Sequence, residues 1–317
     1  MSPIPFYDAE AIASAVSMDT AIGLMRDAFT GLTRGEAVVP LRINMPLQDG
    51  DCALVMPVYL PGSGHYGVKT VSVNHGNPGR GRPRLHAVFT LFDALTGQPL
   101  AAFDAEYITA LRTGAGAGLA TELLAAPGAH RLALFGAGHQ AVTQLAAMAS
   151  VRKLSEAVVF ARSRERAQHF AGAQSALYPF PIRAAACADE LRNADLVCTA
   201  TSSAIPVLAD GDLASVVHIN GVGSYHRGMA EVPAATVARA LLVVDQRSAC
   251  LAEAGDITQA IEGGVIDEGQ IYAELGELTA GQRPLPEAGA GISFFKSVGN
   301  AVQDLAVASH AWRSLTE

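Results

Sequence analysis

The run Arg131-Leu132-Ala133-Leu134-Phe135, passing straight into Gly136-Ala137-Gly138-His139-Gln140-Ala141, constrains this 317-residue chain more than any other feature. An apolar run of strand length, a glycine turn and then apolar residues at helical spacing (Val142, Leu145, Met148) read as strand, turn and helix. Gly136 permits the tight turn, Gly138 lets backbone approach a pyrophosphate, and Ala141 lets the helix pack closely on the strand. Ala137, His139 and Gln140 complete a turn whose N–H groups and helix dipole suit phosphates. Such a unit needs a parallel sheet around it. Further apolar runs at Val158–Phe160, Ile182–Ala185, Leu196–Thr199, Val216–Ile219 and Leu241–Val244 alternate with helical patterns and supply it. The expected fold class is therefore α/β, with a Rossmann-type, parallel-sheet dinucleotide-binding domain.

That domain does not begin at the amino terminus. Asp19 to Leu32 has helical spacing (Ile22, Met25, Phe29, Leu32), with Asp19 or Thr20 as the expected cap. Strand-like runs follow at 53–56, 66–73 and 87–92, and the turn Asp93 to Gln98 leads into 99–103. Tight turns between strands mean antiparallel pairing, hence a separate α+β portion. The last amphipathic stretch, Val298 to Trp312, returns to it. The expected division is residues 1–112 completed by 294–317, with 113–293 inserted as the dinucleotide domain.

Composition excludes several classes. A net charge of −8 lacks the concentrated basic face that nucleic acid requires. No window of about 18 uninterrupted apolar residues marks a membrane span, and the start, Met1 to Asp8, lacks the pattern of a secretory signal. Cys52, Cys187, Cys198 and Cys250 are widely spaced, without metal-ligand spacing. They read as buried small hydrophobes in a reducing cytoplasm, and no metal is expected.

The end of the second parallel strand bears on which dinucleotide binds. NAD enzymes usually place a carboxylate there for the ribose hydroxyls. Here Ala161, Arg162, Ser163 and Arg164 follow the strand, with Arg166 nearby. Guanidinium groups welcome a 2′-phosphate, so NADP(H) is the preferred cofactor and NAD(H) a possible one. The alternative is a solvated basic helix start capped by Ser163. Thr199-Ala200-Thr201-Ser202-Ser203 and Asn220-Gly221-Val222-Gly223-Ser224 follow later strands, where small residues leave room for the nicotinamide ribose.

Three segments carry a resemblance: Ile108-Thr109-Ala110-Leu111-Arg112-Thr113-Gly114-Ala115, the glycine turn with Gln140, and Phe294-Phe295-Lys296-Ser297-Val298-Gly299-Asn300-Ala301-Val302-Gln303-Asp304-Leu305. In that order they resemble the ornithine cyclodeaminase/mu-crystallin family, which includes cyclic ketimine reductases and some alanine dehydrogenases. The resemblance runs from Pro40-Leu41-Arg42 to the final helix. It implies a substrate-binding and dimerisation domain around the inserted one, a homodimer, and a small imino or amino acid substrate. It implies that Arg42, Lys69 and Arg112 line the substrate pocket, with Lys69 and Arg112 catalytic, and that Ser297 and Gly299 join the cofactor contacts. The residue types suit those roles, because Arg offers a planar two-donor clamp for a carboxylate, worth about 1.5–3 kcal/mol per charge-assisted bond. Lys69 sits among Val68, Val71 and Val73, an unusual place for a solvated ammonium.

Two departures matter. Cyclodeaminases resembling this chain carry an Asp shortly after Gly223-Ser224, as the base for the ornithine amine. Tyr225 stands there, and Glu231 lies further along. Arg84 also stands where many relatives have a small hydroxyl residue. The reading that follows is NADPH-dependent reduction of a cyclic ketimine acid, Δ1-pyrroline-2-carboxylate or Δ1-piperideine-2-carboxylate. The alternatives are an ornithine cyclodeaminase, an alanine dehydrogenase-like enzyme, or a mu-crystallin-like protein that binds NADPH and a small ligand.

Overall fold

A computed structural model describes residues 3–317, and the chain divides into two compact units. One runs to Arg112 and resumes at Asn300–Glu317; the other is Thr113–Gly299.

The first unit opens with β1 (Phe6–Tyr7), α1 (Ala9–Ala15) and α2 (Met18–Thr33). The cap of α2 is Ser17, which accepts the Thr20 N–H at 3.1 Å, not Asp19 or Thr20. Ser17 still has extended backbone, whereas Asp19 and Thr20 are already inside the helix. The expected face is buried: Ile22, Met25 and Phe29 all face inward. Then come β2 (Ile43–Pro46), β3 (Cys52–Leu60), β4 (His65–Val73), β5 (Leu85–Asp93) and β6 (Pro99–Asp104). The sheet order is β1-β6-β5-β4-β3-β2, antiparallel except where β1 joins β6. The β5–β6 turn is held by Asp93, whose carboxylate accepts N–H groups from Leu95 and Thr96 and the Thr96 hydroxyl. Helix α3 (Ala105–Leu124) follows, and the division of the chain falls inside it.

The second unit holds β7 (Arg131–Phe135), α4 (His139–Val151), β8 (Glu156–Phe160), α5 (Arg164–Ser175), β9 (Ile182–Ala184), β10 (Leu196–Thr199) and β11 (Val217–Gly221). It continues with α6 (Ala234–Arg239), β12 (Leu241–Val244), α7 (Arg247–Glu253), α8 (Gly255–Glu262), β13 (Ile271–Glu274), α9 (Leu275–Thr279) and β14 (Ile292–Lys296). All eight strands are parallel, in the order β13-β12-β14-β11-β10-β7-β8-β9. Val197, Ile219, Val244 and Phe294 are fully buried in its core, each worth about 1.5–3 kcal/mol of burial.

Residues 294–299 therefore belong with the parallel sheet, not with the C-terminal helix as expected. Strand β14 lies between β11 and β12, and its run Ile292-Ser293-Phe294-Phe295 is buried throughout, as a central parallel strand should be. Helix α10 (Ala301–Thr316) starts later than Val298. Asn300 caps it by accepting the Val302 N–H at 3.0 Å, while Gln303 accepts the Asn300 N–H at 2.9 Å.

The four cysteines are free thiols, but only Cys198 and Cys250 are buried; Cys52 is half-buried and Cys187 exposed. Among the described residues no helix is long and apolar enough to cross a membrane.

Candidate active site

Strands β7, β8 and β9 step one way across the parallel sheet, while β10 and β11 step the other. Ligands bind outside the carboxyl ends of the strands at such a reversal. A cleft of about 820 Å³ opens there, lined by the loops after β7, β8 and β10. Gly136 has φ +116°, and a Cβ on it would meet the Ala200 carbonyl oxygen at 2.5 Å. Only glycine fits that position. Gly138 starts α4 with extended backbone, no side chain caps the helix, and nothing would lie within 4 Å of an added Cβ. Ala137, His139 and Gln140 line the same cleft, and the buried Gln140 Oε1 has no hydrogen-bond partner. An open, uncapped helix start beside an unpaired polar atom fits a pyrophosphate.

From the end of β8 the cleft receives Ala161, Arg162 and Arg166. No carboxylate lies between Phe160 and Arg162. Ser163 and Arg164 are not in the lining: Ser163 caps α5 by accepting the Arg166 N–H at 3.4 Å, and Arg164 is the first residue of that helix. From β10 come Ala200 and Thr201, with Ser202 and Ser203 of the same segment.

Thr199, Val222 and Gly223 stand behind the lining, and Glu231 explains why. This fully buried carboxylate accepts the Thr201 N–H at 2.6 Å, the Gly223 N–H at 2.7 Å, the Ser224 N–H at 3.1 Å and the Thr199 hydroxyl at 3.0 Å. It ties together the ends of β10 and β11. Val222 donates to the Thr199 carbonyl at 2.9 Å in the same scaffold. Burial raises the Glu231 pKa, against the pull of the Lys296 charge. Lys296 is itself fully buried and pairs with Asp256 at 2.9 Å, while Asp256 accepts the N–H groups of Glu231 and Val232.

Ser297 and Gly299 also miss the cleft lining. Asp245 accepts the Ser297 hydroxyl at 2.8 Å, the Val298 N–H at 2.9 Å and the Gly299 N–H at 2.7 Å. Their polar groups are spent on shaping the turn after β14. Tyr225 is more than half exposed, edge-on to His226.

A second cluster lies wholly within the antiparallel unit. Lys69 on β4, opposite Met56 of β3 and Phe89 of β5, is only 3% exposed. Its Nζ donates to Asp304 Oδ2 at 2.7 Å and to Thr109 Oγ1 at 3.4 Å. Arg112 on α3, 6% exposed, donates from Nη1 to Gln303 Oε1 at 3.0 Å, and its Nε lies 3.5 Å from Asp304 Oδ1. Gln303 and Asp304 occupy the first turn of α10, where the capping box fixes their direction. Burial pulls the Lys69 pKa from 10.5 down to about 8; Asp304 opposes the fall, while the charges of Arg112 and half-buried Arg42 add to it.

The cluster thus brings Lys69 and Arg112 together with Arg42 within electrostatic reach. Sequence reasoning assigned no role to Asp304 or Gln303. The available signal was two polar residues in the first turn of a helix whose neighbouring residues Ala301, Val302, Leu305 and Ala308 are apolar.

The sheet reversal, the glycine turn and the buried cation cluster define a class, the NAD(P)-dependent oxidoreductases. The model of the ornithine cyclodeaminase/mu-crystallin family matches residues 5–317, and the chain belongs to that family. It is 33% identical over 305 residues to the Delta(1)-pyrroline-2-carboxylate reductase of Bacillus cereus, covering 95% of this chain and 94% of that one. Among solved structures, the Thermococcus litoralis Delta(1)-pyrroline-2-carboxylate reductase in complex with NADH and L-proline superposes with a TM-score of 0.93 at 36% identity, covering 98% of this chain and 97% of that one. An archaeal alanine dehydrogenase dimer with bound NAD gives a TM-score of 0.91 at 30% identity, covering 98% and 95%.

Proposed function

We propose that this protein reduces a cyclic ketimine acid, Δ1-pyrroline-2-carboxylate or its six-membered homologue, to the L-imino acid. The observation that carries the reading is Lys69, a dehydrated ammonium with a pKa near 8 set beside the guanidinium of Arg112. Arg112 and Arg42 hold the substrate carboxylate, and Lys69 gives a proton to the imine nitrogen. When bound, a reduced nicotinamide supplies the hydride. The likeness to two pyrroline-2-carboxylate reductases supports this choice of substrate. Lys69 donates only while charged, so turnover should fall as pH rises through about 8. Initial rates of NAD(P)H oxidation with the five- and six-membered ketimine acids test the reading, with ornithine plus NAD as the control. Activity confined to ornithine would overturn it. Ornithine is disfavoured because Tyr225 replaces the expected acid and Glu231 is fully engaged.

We place NADP(H) first and NAD(H) second, because Arg162 and Arg166 line the cleft where a 2′-phosphate would face them. The related structures hold NADH and NAD. Arg162→Asp should raise the KM for NADPH at least about tenfold, the scale of one lost charge-assisted bond, and spare NADH. An unchanged preference would mean that Arg162 does not read the nucleotide.

We assign substrate binding and homodimer formation to the antiparallel unit, and place the protein in the cytoplasm, where its free thiols stay reduced. Helix α10 packs on β3, β4 and β5. One register row, Ile43-Val55-Thr70-Val88, carries Ile43 at 58% and Val88 at 41% exposure. An apolar sheet face of this kind suits a second copy. Sedimentation should give twice the chain mass, and Val88→Arg should shift it toward the monomer.

A further inference from the structure

Lys69 needs something to keep it charged in a place that strips it of water. Each element packed around its Nζ can be named. Helix α10 presents Asp304, helix α3 presents Arg112 and the Thr109 hydroxyl, and the segment before β2 brings the charge of Arg42. The neighbouring strands contribute only Met56 and Phe89 directly opposite. Two further cations therefore act on this ammonium, against one carboxylate.

We propose that Asp304 is a positioning residue that holds Lys69 protonated and aims the Arg112 guanidinium at the substrate carboxylate. The assignment rests on the imine-reduction reading above. Asp304 is completely buried, and its two oxygens divide their work. Oδ2 takes the Lys69 Nζ at 2.7 Å, and Oδ1, without a hydrogen bond, faces the equally unbonded Arg112 Nε at 3.5 Å. Gln303 holds Nη1, so Nη2 is left to meet a carboxylate. Burial, Arg112 and Arg42 all disfavour the charged lysine, and Asp304 is the group that favours it.

The step balances. The imine nitrogen takes a proton from the Lys69 ammonium as the ring carbon accepts hydride with its electron pair. Lys69 is left as an amine and regains a proton from water. Asp304 stays ionised throughout and touches neither reacting atom.

The test is Asp304→Asn, which keeps the shape and an acceptor oxygen but removes the charge. The chain has three lysines, so protein labelled with ¹⁵N-lysine gives three side-chain signals, and a Lys69→Met sample identifies the one from Lys69. The Lys69 midpoint should fall at least about one unit below its wild-type value, a tenfold change in protonation equilibrium. Turnover at pH 8 should drop about fivefold or more, as the charged fraction of Lys69 falls, and recover as the pH is lowered. An unmoved midpoint overturns the proposal whatever the activity. A lowered midpoint in a protein that reduces no imine leaves the hold of Asp304 on Lys69 standing and removes the substrate reading instead. Should Asp304→Asn not fold, the Lys69→Met/Asp304→Asn pair decides. A folded double variant shows that the uncompensated lysine was the fault, and an unfolded one makes Asp304 a fold element only.

Discussion

Lys69→Ala should reduce imine turnover by about 10²-fold or more, the usual contribution of a positioned general acid. The far-ultraviolet circular dichroism should stay that of the wild type. Asp304 keeps Arg112 nearby at 3.5 Å, so the loss of Lys69 does not strand its carboxylate. The pH profile adds a second signature. Wild-type rates should decline above about pH 8 as Lys69 loses its proton, and the variant should lack that limb. Initial rates across pH 6 to about 10 read both effects, the upper bound being set by the ordinary lysine pKa. A variant that turns over at near-wild-type rates, or keeps the limb, removes Lys69 from the chemistry.

Lys296→Met is the second large effect, and it concerns stability. Lys296 and Asp256 are both fully buried and 2.9 Å apart, with the Glu231 carboxylate also inside that region. Removing the lysine leaves two buried carboxylates without their cation, which should cost about 3–5 kcal/mol. Burial pulls the Lys296 pKa down, but Asp256 and Glu231 more than reverse this, so it lies above 10.5. A raised lysine pKa gives stability that is complete below the unfolded value and lost only as pH rises through the folded one. Urea titrations should therefore find nearly the same deficit at pH 6 and at pH 8. A deficit under about 1 kcal/mol, within the range of an exposed pair, would mean that the pair holds little.

The parallel sheet was legible because its strands are apolar runs with glycine turns between them, and six of the eight were read at nearly their observed positions. Strand β13 was missed. Its sequence Ile-Tyr-Ala-Glu is too short and too mixed to show a period. Strand β14 was seen as residues but misplaced, because a fully buried parallel strand has no alternation to distinguish it from the approach to a helix. The glycine turn located one wall of the cleft directly. The later loops were harder to read. Thr199 and Gly223 follow strands as cofactor residues do, yet their polar groups turn toward Glu231, and only the fold shows that this carboxylate lies under both loops. Asp304 was hidden for the same reason, since its partners Lys69 and Arg112 lie 235 and about 190 positions away in sequence.

Two of the three lysines are interior groups, and Lys153 is the one whose side chain is exposed. Amine-directed reagents therefore have a single lysine to reach on the folded protein. A fluorophore, a cross-linker or a solid support attached through a lysine would be tethered at Lys153, just after α4. The same reagents become a gauge of unfolding, since a second and third modified lysine can be gained only when the interior opens.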